Sequence, residues 1–79
     1  MKQKYTIIVF TENTPGVLYR ISGVFLRRRI NIESLNVLET EPGLSQFTIV
    51  VEITKDTVEK IVKQLDRIIG VVEVRSNAD

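Results

Sequence analysis

Two segments of the chain carry strong β-strand patterns. Residues 4–11 (KYTIIVFT) are rich in β-branched side chains and apolar on both alternating sets, which predicts a central strand. Residues 44–53 (LSQFTIVVEI) alternate cleanly, which predicts a strand with one buried face. That face consists of Phe47, Ile49, Val51 and Ile53.

A third apolar segment, residues 31–40 (NIESLNVLET), changes phase along its length. Ile32 falls on one alternating set, whereas Leu35 and Val37 fall on the other. Because a slip of one residue turns side chains to the opposite face of a sheet, we expect a bulge at residues 33–34.

Turn residues and a short apolar run complete the strand pattern. Residues 41–43 (EPG) supply a hairpin connection between the second and third strands. Residues 71–75 (VVEVR) predict a short fourth strand, and we expect the last few residues to fray.

Two segments show the three- and four-residue apolar spacing of an amphipathic helix. The first is predicted to begin at Thr14, which can act as a cap, with Pro15 in the first helical position. It should end near Arg29, so that the arginines at residues 27–29 complement the helix dipole. Its buried stripe would be Val17, Leu18, Ile21, Val24 and Phe25.

The second helix should follow Asp56. The spacing from Asp56 to Glu59 is that of a capping box, and Gly70 is placed to close the helix. Its apolar stripe would be Val58, Ile61, Val62, Leu65, Ile68 and Ile69.

The predicted order is βαββαβ, which indicates an α+β, ferredoxin-like fold: a four-stranded antiparallel sheet with two helices on one face. Residues 1–79 then form a single domain. A chain this short buries only about 60% of its unfolded surface, so we expect an oligomer or a subunit. The uncovered face of the sheet, which we interpret as a partner surface rather than a solvated one, should carry Ile8, Phe10, Thr48 and Val50.

Composition removes several kinds of chemistry. The chain has no Cys and no His, which excludes a thiol nucleophile, a disulfide framework, histidine acid–base catalysis and zinc sites with nitrogen or sulfur ligands. We therefore predict no catalytic residues and no bound metal. The apolar run at residues 5–10 is too short for a signal peptide or for the ~20 residues of a membrane span, so a cytoplasmic protein without membrane contact is expected.

Charge gives little reason to expect nucleic-acid binding. The 11 Lys and Arg residues nearly balance the 10 Asp and Glu residues, and the formal net charge is +1. An RNA-recognition sheet also needs exposed aromatic side chains for stacking, but Phe47 shares its face with Ile49 and Val51 and is interpreted as core. A ferredoxin-like RNA-binding module is therefore a weak alternative, and no nucleic-acid partner is expected.

The first strand-to-helix turn is the clearest candidate site. Residues 13–17 (NTPGV) place backbone N–H groups at a helix N-terminus, where unpaired donors and the helix dipole favour a carboxylate or phosphate. A generic helix start has the same properties, so the pattern alone does not establish a ligand.

Four sequence motifs support the interpretation of this turn as a ligand-binding site. They are Asn-x-x-Gly-x-Leu at residues 13–18, Arg-Ile-x-Gly-x-Phe at residues 20–25, Asn-Ile-x-Ser-Leu-x-Val at residues 31–37 and Leu-Ser-x-x-Thr-Ile at residues 44–49. In this combination the chain resembles the ACT domain, and more narrowly the ACT domain of the regulatory small subunit of acetolactate synthase, also called acetohydroxyacid synthase. The resemblance is close over residues 5–53 and rests on pattern alone beyond them.

The resemblance implies a homodimer in which two ACT domains pair through their second-strand edges. An effector, valine or another branched-chain amino acid (leucine or isoleucine), would lie where the first turn of one chain meets the second strand of the other. Carried onto this sequence, the implied effector-binding residues are Asn13, Pro15, Gly16, Val17, Leu18, Asn31 and Ile32.

The resemblance also implies a partner and a regulatory role. The chain would be a non-catalytic subunit that supports the catalytic large subunit of acetolactate synthase and subjects it to feedback control. Thiamine diphosphate, magnesium and FAD would be held by that large subunit, and this chain would bind no cofactor. A free-standing ACT module that serves another enzyme or regulator is the alternative.

Three features depart from the family pattern. The family often has Gly at the position of Arg29 and a basic residue at the position of Gln46. A non-glycine residue at position 29 would avoid or strain a left-handed backbone conformation. Many small subunits also carry a second C-terminal domain, so we expect this chain to be a short subunit, a part of a longer one or a stand-alone relative.

Overall fold

The computed structural model describes residues 1–79 and contains four strands and two helices. The spatial order of the strands is β2-β3-β1-β4, with every neighbouring pair antiparallel, so β2 and β4 are the edges. The predicted βαββαβ fold is confirmed. The elements are β1 (Gln3–Glu12), α1 (Val17–Arg27), β2 (Ile32–Glu41), β3 (Leu44–Ile53), α2 (Lys55–Asp66) and β4 (Val71–Ala78).

The sheet has one buried face and one open face, as the alternation predicted. Ile7 and Val9 of β1 are fully buried, and Phe47 of β3 is 3% exposed within the same core, which confirms its interpretation as core. The four residues predicted for the open face are half-buried: Ile8, Phe10, Thr48 and Val50.

Both helices contribute to this core. The predicted stripe of α1 is buried except for Leu18, which is 47% exposed because it lies on the flank of the helix. The buried helix residues are Val17, Ile21, Val24 and Phe25 of α1 and Val58, Ile61 and Leu65 of α2.

The predicted bulge in β2 is confirmed. The pairing of β2 with β3 shifts between Ile32 and Ser34, which lets Ile32 and Leu35 face the same side of the sheet. A second shift between Glu39 and Glu41, and one between β1 and β4 at Thr11, were not predicted, because the sequence shows no phase change there.

The predicted start of the first helix is wrong by two residues. The Thr14 side chain makes no capping hydrogen bond, and the Thr14 N–H donates to the Glu12 carbonyl at 2.8 Å in a tight turn that precedes Pro15. Gly16 is the N-cap, with φ +83°, and α1 ends at Arg27 rather than near Arg29. Glycine takes the cap position because the turn requires a left-handed backbone conformation there.

The second helix and the last strand also differ from the predicted bounds. Thr54, not Asp56, is the N-cap, and its hydroxyl accepts a hydrogen bond from the Thr57 N–H at 3.3 Å. The helix ends at Asp66, so Ile68 and Ile69 lie in the turn that follows. The last strand is longer than predicted, because β4 continues past Arg75 to Ala78 and pairs with β1 along its length.

Arg29 adopts the left-handed conformation for which the family often uses glycine, with φ +55°. Its N–H donates to the Leu26 carbonyl and the Ile30 N–H donates to the Phe25 carbonyl, each at 3.0 Å. This pair of bonds is a Schellman motif, which fixes the path of the chain from α1 into β2 at the cost of backbone strain at Arg29.

We expect Arg29→Gly to stabilise the protein by about 0.5–1 kcal/mol. The substitution relieves the strain of the left-handed conformation, which is about 1–2 kcal/mol. Part of this gain is offset, because glycine increases the conformational entropy of the unfolded chain. Chemical denaturation checks the prediction, with Arg28→Gly as the control. Arg28 has φ −93°, so glycine there relieves nothing. A gain in stability at both positions would contradict the strain argument.

Candidate functional site

Three connections meet at one end of the sheet: the β1–α1 turn, the β2–β3 hairpin and the turn before β4. The Asn13 N–H donates to the Gly43 carbonyl of the hairpin at 2.9 Å, and the Glu12 N–H donates to the Gly70 carbonyl at 2.7 Å. Because these bonds are between backbone groups, the position of the first turn does not depend on its side chains.

The Asn13 side chain joins this turn to both neighbouring strands. Its Nδ2 donates to Glu39 Oε2 of β2 at 3.0 Å, and its Oδ1 accepts a hydrogen bond from the hydroxyl of Ser45 of β3. Ser45 is only 7% exposed, so Asn13 satisfies a hydroxyl that is nearly removed from water. Both ends of the amide are engaged, which fixes its orientation.

The start of α1 provides hydrogen-bond donors beside this amide. The Val17 N–H is already used, because it donates to the Thr14 carbonyl at 3.1 Å. The amides of Leu18 and Tyr19 lie in the first turn of the helix, where no carbonyl of the helix itself is available to them. With the positive end of the helix dipole they suit a carboxylate, while Glu39 and Asn13 Oδ1 suit an ammonium group.

Gly70 holds the third connection against the first turn. Its φ is +99°, and a Cβ at this position would lie 3.0 Å from Thr14 Oγ1. Its carbonyl is the acceptor for the Glu12 N–H, so a shift of Gly70 also moves the β1–α1 turn.

We expect Gly70→Ala to destabilise the protein by about 2 kcal/mol, because the substitution adds a strained φ and a close contact with Thr14. Gly23→Ala is the control, since Gly23 lies inside α1 with nothing near the added methyl group. There alanine should stabilise by about 0.5–1 kcal/mol. Thermal unfolding measures both, and a neutral Gly70→Ala variant would contradict the close approach.

The structure brings together five of the seven predicted effector-binding residues. Asn13, Pro15 and Gly16 are exposed in the turn, and Leu18 is half-exposed at the helix start. The side chain of Val17 is 8% exposed and belongs to the core. Pro15 and Leu18 are therefore the apolar side chains of this group that remain free to contact a ligand.

The structure does not bring Asn31 and Ile32 to the same place within one chain. Asn31 immediately precedes β2 and Ile32 begins it, whereas Asn13 contacts Glu39 near the other end of that strand. Eight residues of extended chain separate Asn31 from Glu39, which corresponds to roughly 26 Å. Asn31 instead lines a separate cavity with Arg28 and Arg29.

Sequence reasoning missed Glu39 and Ser45 as members of the site. Each stands at the end of an inward-facing apolar series, Glu39 after Leu35 and Val37 in β2 and Ser45 before Phe47 in β3. A polar residue that continues an apolar alternation at the end of a strand is the signal that could have indicated them.

β2 presents an unpaired edge with three exposed large apolar side chains. Leu35 and Val37 face the helix side of the sheet but are 42% and 50% exposed, and Leu38 on the open face is 65% exposed. The ten residues of β2 contain no Lys and no Pro, the residues that commonly protect sheet edges from pairing.

Neither helix combines the length and the apolar character that crossing a membrane requires. No group of three or more acidic side chains is close enough together to hold a metal ion.

A family model described as the AHAS small subunit-like ACT domain matches residues 7–73. The chain is 51% identical over 72 residues to the probable acetolactate synthase small subunit of Archaeoglobus fulgidus. It is 45% identical over 71 residues to the acetolactate synthase small subunit of Mycobacterium leprae. These matches cover 90% and 89% of this chain but 45% and 42% of the relatives, so the chain spans less than half of their length.

Solved structures give the same result. The acetolactate synthase small subunit of Thermotoga maritima superposes with a TM-score of 0.82 at 33% identity, which covers 94% of this chain and 47% of that one. The ACT domain of the GTP pyrophosphokinase of Chlorobium tepidum superposes with a TM-score of 0.85 at 18% identity, covering 98% of this chain and 100% of that one. The second similarity concerns the fold alone.

Proposed function

The chain belongs to the AHAS small subunit-like ACT domain family, and we propose that it regulates acetolactate synthase by binding a branched-chain amino acid between two copies of itself. It performs no chemistry in this proposal. The observation that supports it most directly is the Asn13 amide, held between Ser45 and Glu39 beside a helix start with free donors. Valine is the first candidate for the effector.

Pairing of two β2 edges would complete the site. The edge is ten residues long, and its exposed side chains include Leu35, Val37 and Leu38. The other edge, β4, ends in the polar run Arg75, Ser76, Asn77 and offers less apolar surface. Burial of the β2 side chains would also enlarge the small core of a single domain.

A two-fold axis near Leu35 would bring the separated parts of the site together. Asn31 lies four residues before Leu35 and Glu39 lies four residues after it. The bulge between Ile32 and Ser34 shortens this part of β2 by one pair, so in an antiparallel pair related by such an axis Asn31 of one copy would lie beside Leu38 and Glu39 of the other. Asn13 contacts Glu39, so Asn31 of the second copy would close over the Asn13 turn.

The proposed site matches the chemistry of a free amino acid. The Leu18 and Tyr19 amides would receive the carboxylate, and Glu39 and Asn13 would receive the ammonium group. Leu18 and Ile32 of the second copy would line the slot for the aliphatic side chain. Burying the side chain of valine contributes only about 1.5–2 kcal/mol, so the polar groups must supply much of the affinity. Discrimination between valine, leucine and isoleucine would be about 1–3 kcal/mol.

Control of an enzyme requires more than binding. The effector must bind two states of the assembly with different affinities, because equal affinity shifts no equilibrium. The second state would be set by the catalytic large subunit, to which we assign thiamine diphosphate, magnesium and FAD. Coupling of about 1–3 kcal/mol would change the affinity by roughly 5- to 150-fold.

Titration calorimetry with valine, leucine, isoleucine, serine and phenylalanine tests the sensor role. We expect saturable binding of the branched-chain amino acids and none of serine or phenylalanine. Absence of binding by all five would contradict the sensor role of this chain. Saturable binding without co-purification of a large subunit from the same cells would instead favour a free-standing ACT module.

A further inference from the structure

A groove of about 520 Å³ runs between α1 and α2, on the flank of α1 opposite Leu18. Arg20 and Arg27 of α1 line one side, and Arg67, just after α2, lines the other. Its central part is formed by Gly23, Val24 and Ile68, where the absence of a side chain at Gly23 leaves the floor open. The groove is separate from the Asn13 turn and from the β2 edge.

The charge of this groove is uncompensated. None of Arg20, Arg27 and Arg67 makes an ion pair or a side-chain hydrogen bond, and no acidic residue lines the groove. The only ion pairs, Lys4–Glu33 and Arg75–Glu73, lie elsewhere. Like charges around one concave surface attract an anionic partner, and the attraction is strongest at low salt.

The rim of the groove is apolar as well as basic. Tyr19 is 82% exposed and Leu26 is 72% exposed, both on the outer face of α1. Tyrosine and arginine are the residue types that protein–protein interfaces enrich and that carry large shares of binding energy. At one end, Arg28 Nε donates to Gln64 Oε1 at 3.2 Å, which links the two helices and helps to fix the width of the groove.

We propose that this groove docks an acidic segment of the catalytic large subunit of acetolactate synthase. Carboxylates of the segment pair with the three arginines, and an apolar side chain of the segment packs over Gly23 between Tyr19 and Leu26. The identity of the partner rests on the proposed function, whereas the chemistry of the occupant rests on the groove.

Two other occupants fit less well. In a symmetric dimer the same surface of both copies is used, so two copies joined through this groove would place arginine against arginine. The phosphates of a nucleic acid could pair with the arginines, but they would leave the apolar surface of Leu26, Val24 and Ile68 without a partner. The net charge of the whole chain is also only +1, which gives little general attraction for a nucleic acid.

The same helix would connect the two binding events. The first turn of α1 supplies donors for the effector, and its flank carries Arg20 and Arg27 for the partner. A small rotation of α1 on effector binding would therefore change how the arginines meet the large subunit.

Charge reversal tests the groove. The affinity of the chain for the large subunit of the same organism is measured by calorimetry at 50 and 300 mM salt for the wild type and for Arg20→Glu/Arg27→Glu. The control is Lys55→Glu/Lys63→Glu, which changes net charge by the same amount on exposed positions outside the groove. We expect at least a 30-fold loss for the groove variant, less than threefold for the control, and unchanged binding of valine by both.

A second variant tests the apolar rim. Tyr19→Ala/Leu26→Ala should weaken the complex about tenfold and leave its salt dependence unchanged, because it removes no charge. Both side chains are exposed in the free protein, so folding should be preserved.

Each of the other outcomes contradicts a different part of the proposal. Equal losses for the two charge variants would exclude the groove and leave the partnership with the large subunit intact. A wild type with no affinity for the large subunit would overturn the partnership as well. Retention of RNA, or self-association, that only the groove variant abolishes would assign the groove to a nucleic acid or to a second copy.

Discussion

Asn13→Ala is expected to abolish the response to valine and leave the fold in place. The backbone bond from the Asn13 N–H to Gly43 survives the substitution, so the turn keeps its position. The variant loses the donor to Glu39 and the acceptor for Ser45, which should cost about 1 kcal/mol of stability. In the proposed site the same amide would orient Glu39 toward the ammonium group of the effector, so binding of valine should weaken at least tenfold.

Calorimetry with valine and an activity assay with the large subunit measure the two expected effects separately. Asn77→Ala is the matched control, since Asn77 is exposed on β4, away from the β2 edge, and its side chain makes no hydrogen bond. Asn13→Asp is a second variant. It keeps the acceptor for Ser45 but places a carboxylate against Glu39, so valine binding should again be lost. Equal loss of activation and of valine sensitivity would show that Asn13 is structural.

Mixing two inactive variants tests whether the site is shared between copies. Asn13→Ala and Asn31→Ala should each lack valine binding as homodimers. In a mixed dimer, the first variant supplies Asn31 and the second supplies Asn13, so one of the two sites is intact. We expect valine binding to return, with one site per mixed dimer. If neither variant binds and the mixture does not either, the site does not combine residues of two copies.

The βαββαβ order of elements and the core could be predicted because their signal is carried by many residues. Alternation along the ten residues of β3 indicates which of its faces is buried, and one unusual residue changes little. The bulge of β2 could also be predicted from the sequence. The apolar pattern changes phase between Ile32 and Leu35, and a bulge is the simplest way for both side chains to face the same side of a sheet.

The ends of the helices could not be predicted in the same way, because each depends on the local path of only a few residues. Thr14 and Asp56 have good capping chemistry, but the chain turns so that Gly16 and Thr54 take the cap positions. The left-handed angle of Arg29 is also set by the Schellman bonds rather than by the preference of arginine.

Only some residues of the candidate site could be predicted from the sequence, because the others come together only in the folded chain. Residues 13–18 are contiguous, so a short motif is enough to indicate them. Glu39 and Ser45 join Asn13 only after β2, β3 and the turn are placed side by side. Asn31 belongs to the same motif set but lies at the opposite end of β2, and a single folded chain cannot bring it to Asn13.

Leu35→Lys is expected to convert the proposed dimer to a monomer. Leu35 is 42% exposed in the single chain, so lysine is tolerated by the monomer fold. At a two-fold axis the two lysines would face each other, and juxtaposed like charges cost several kcal/mol in an interface. A loss of about 3 kcal/mol weakens dimerisation more than 100-fold.

Analytical ultracentrifugation gives the dimer dissociation constant, and calorimetry gives valine binding in the same samples. Val72→Lys is the matched control, because Val72 is 61% exposed on β4, the other edge. It should remain dimeric and bind valine. Leu35→Lys should lose both properties together, since a monomer separates Asn13 from Asn31 of the second copy. A monomeric Val72→Lys beside a dimeric Leu35→Lys would place the interface on β4 and remove Asn31 from the site.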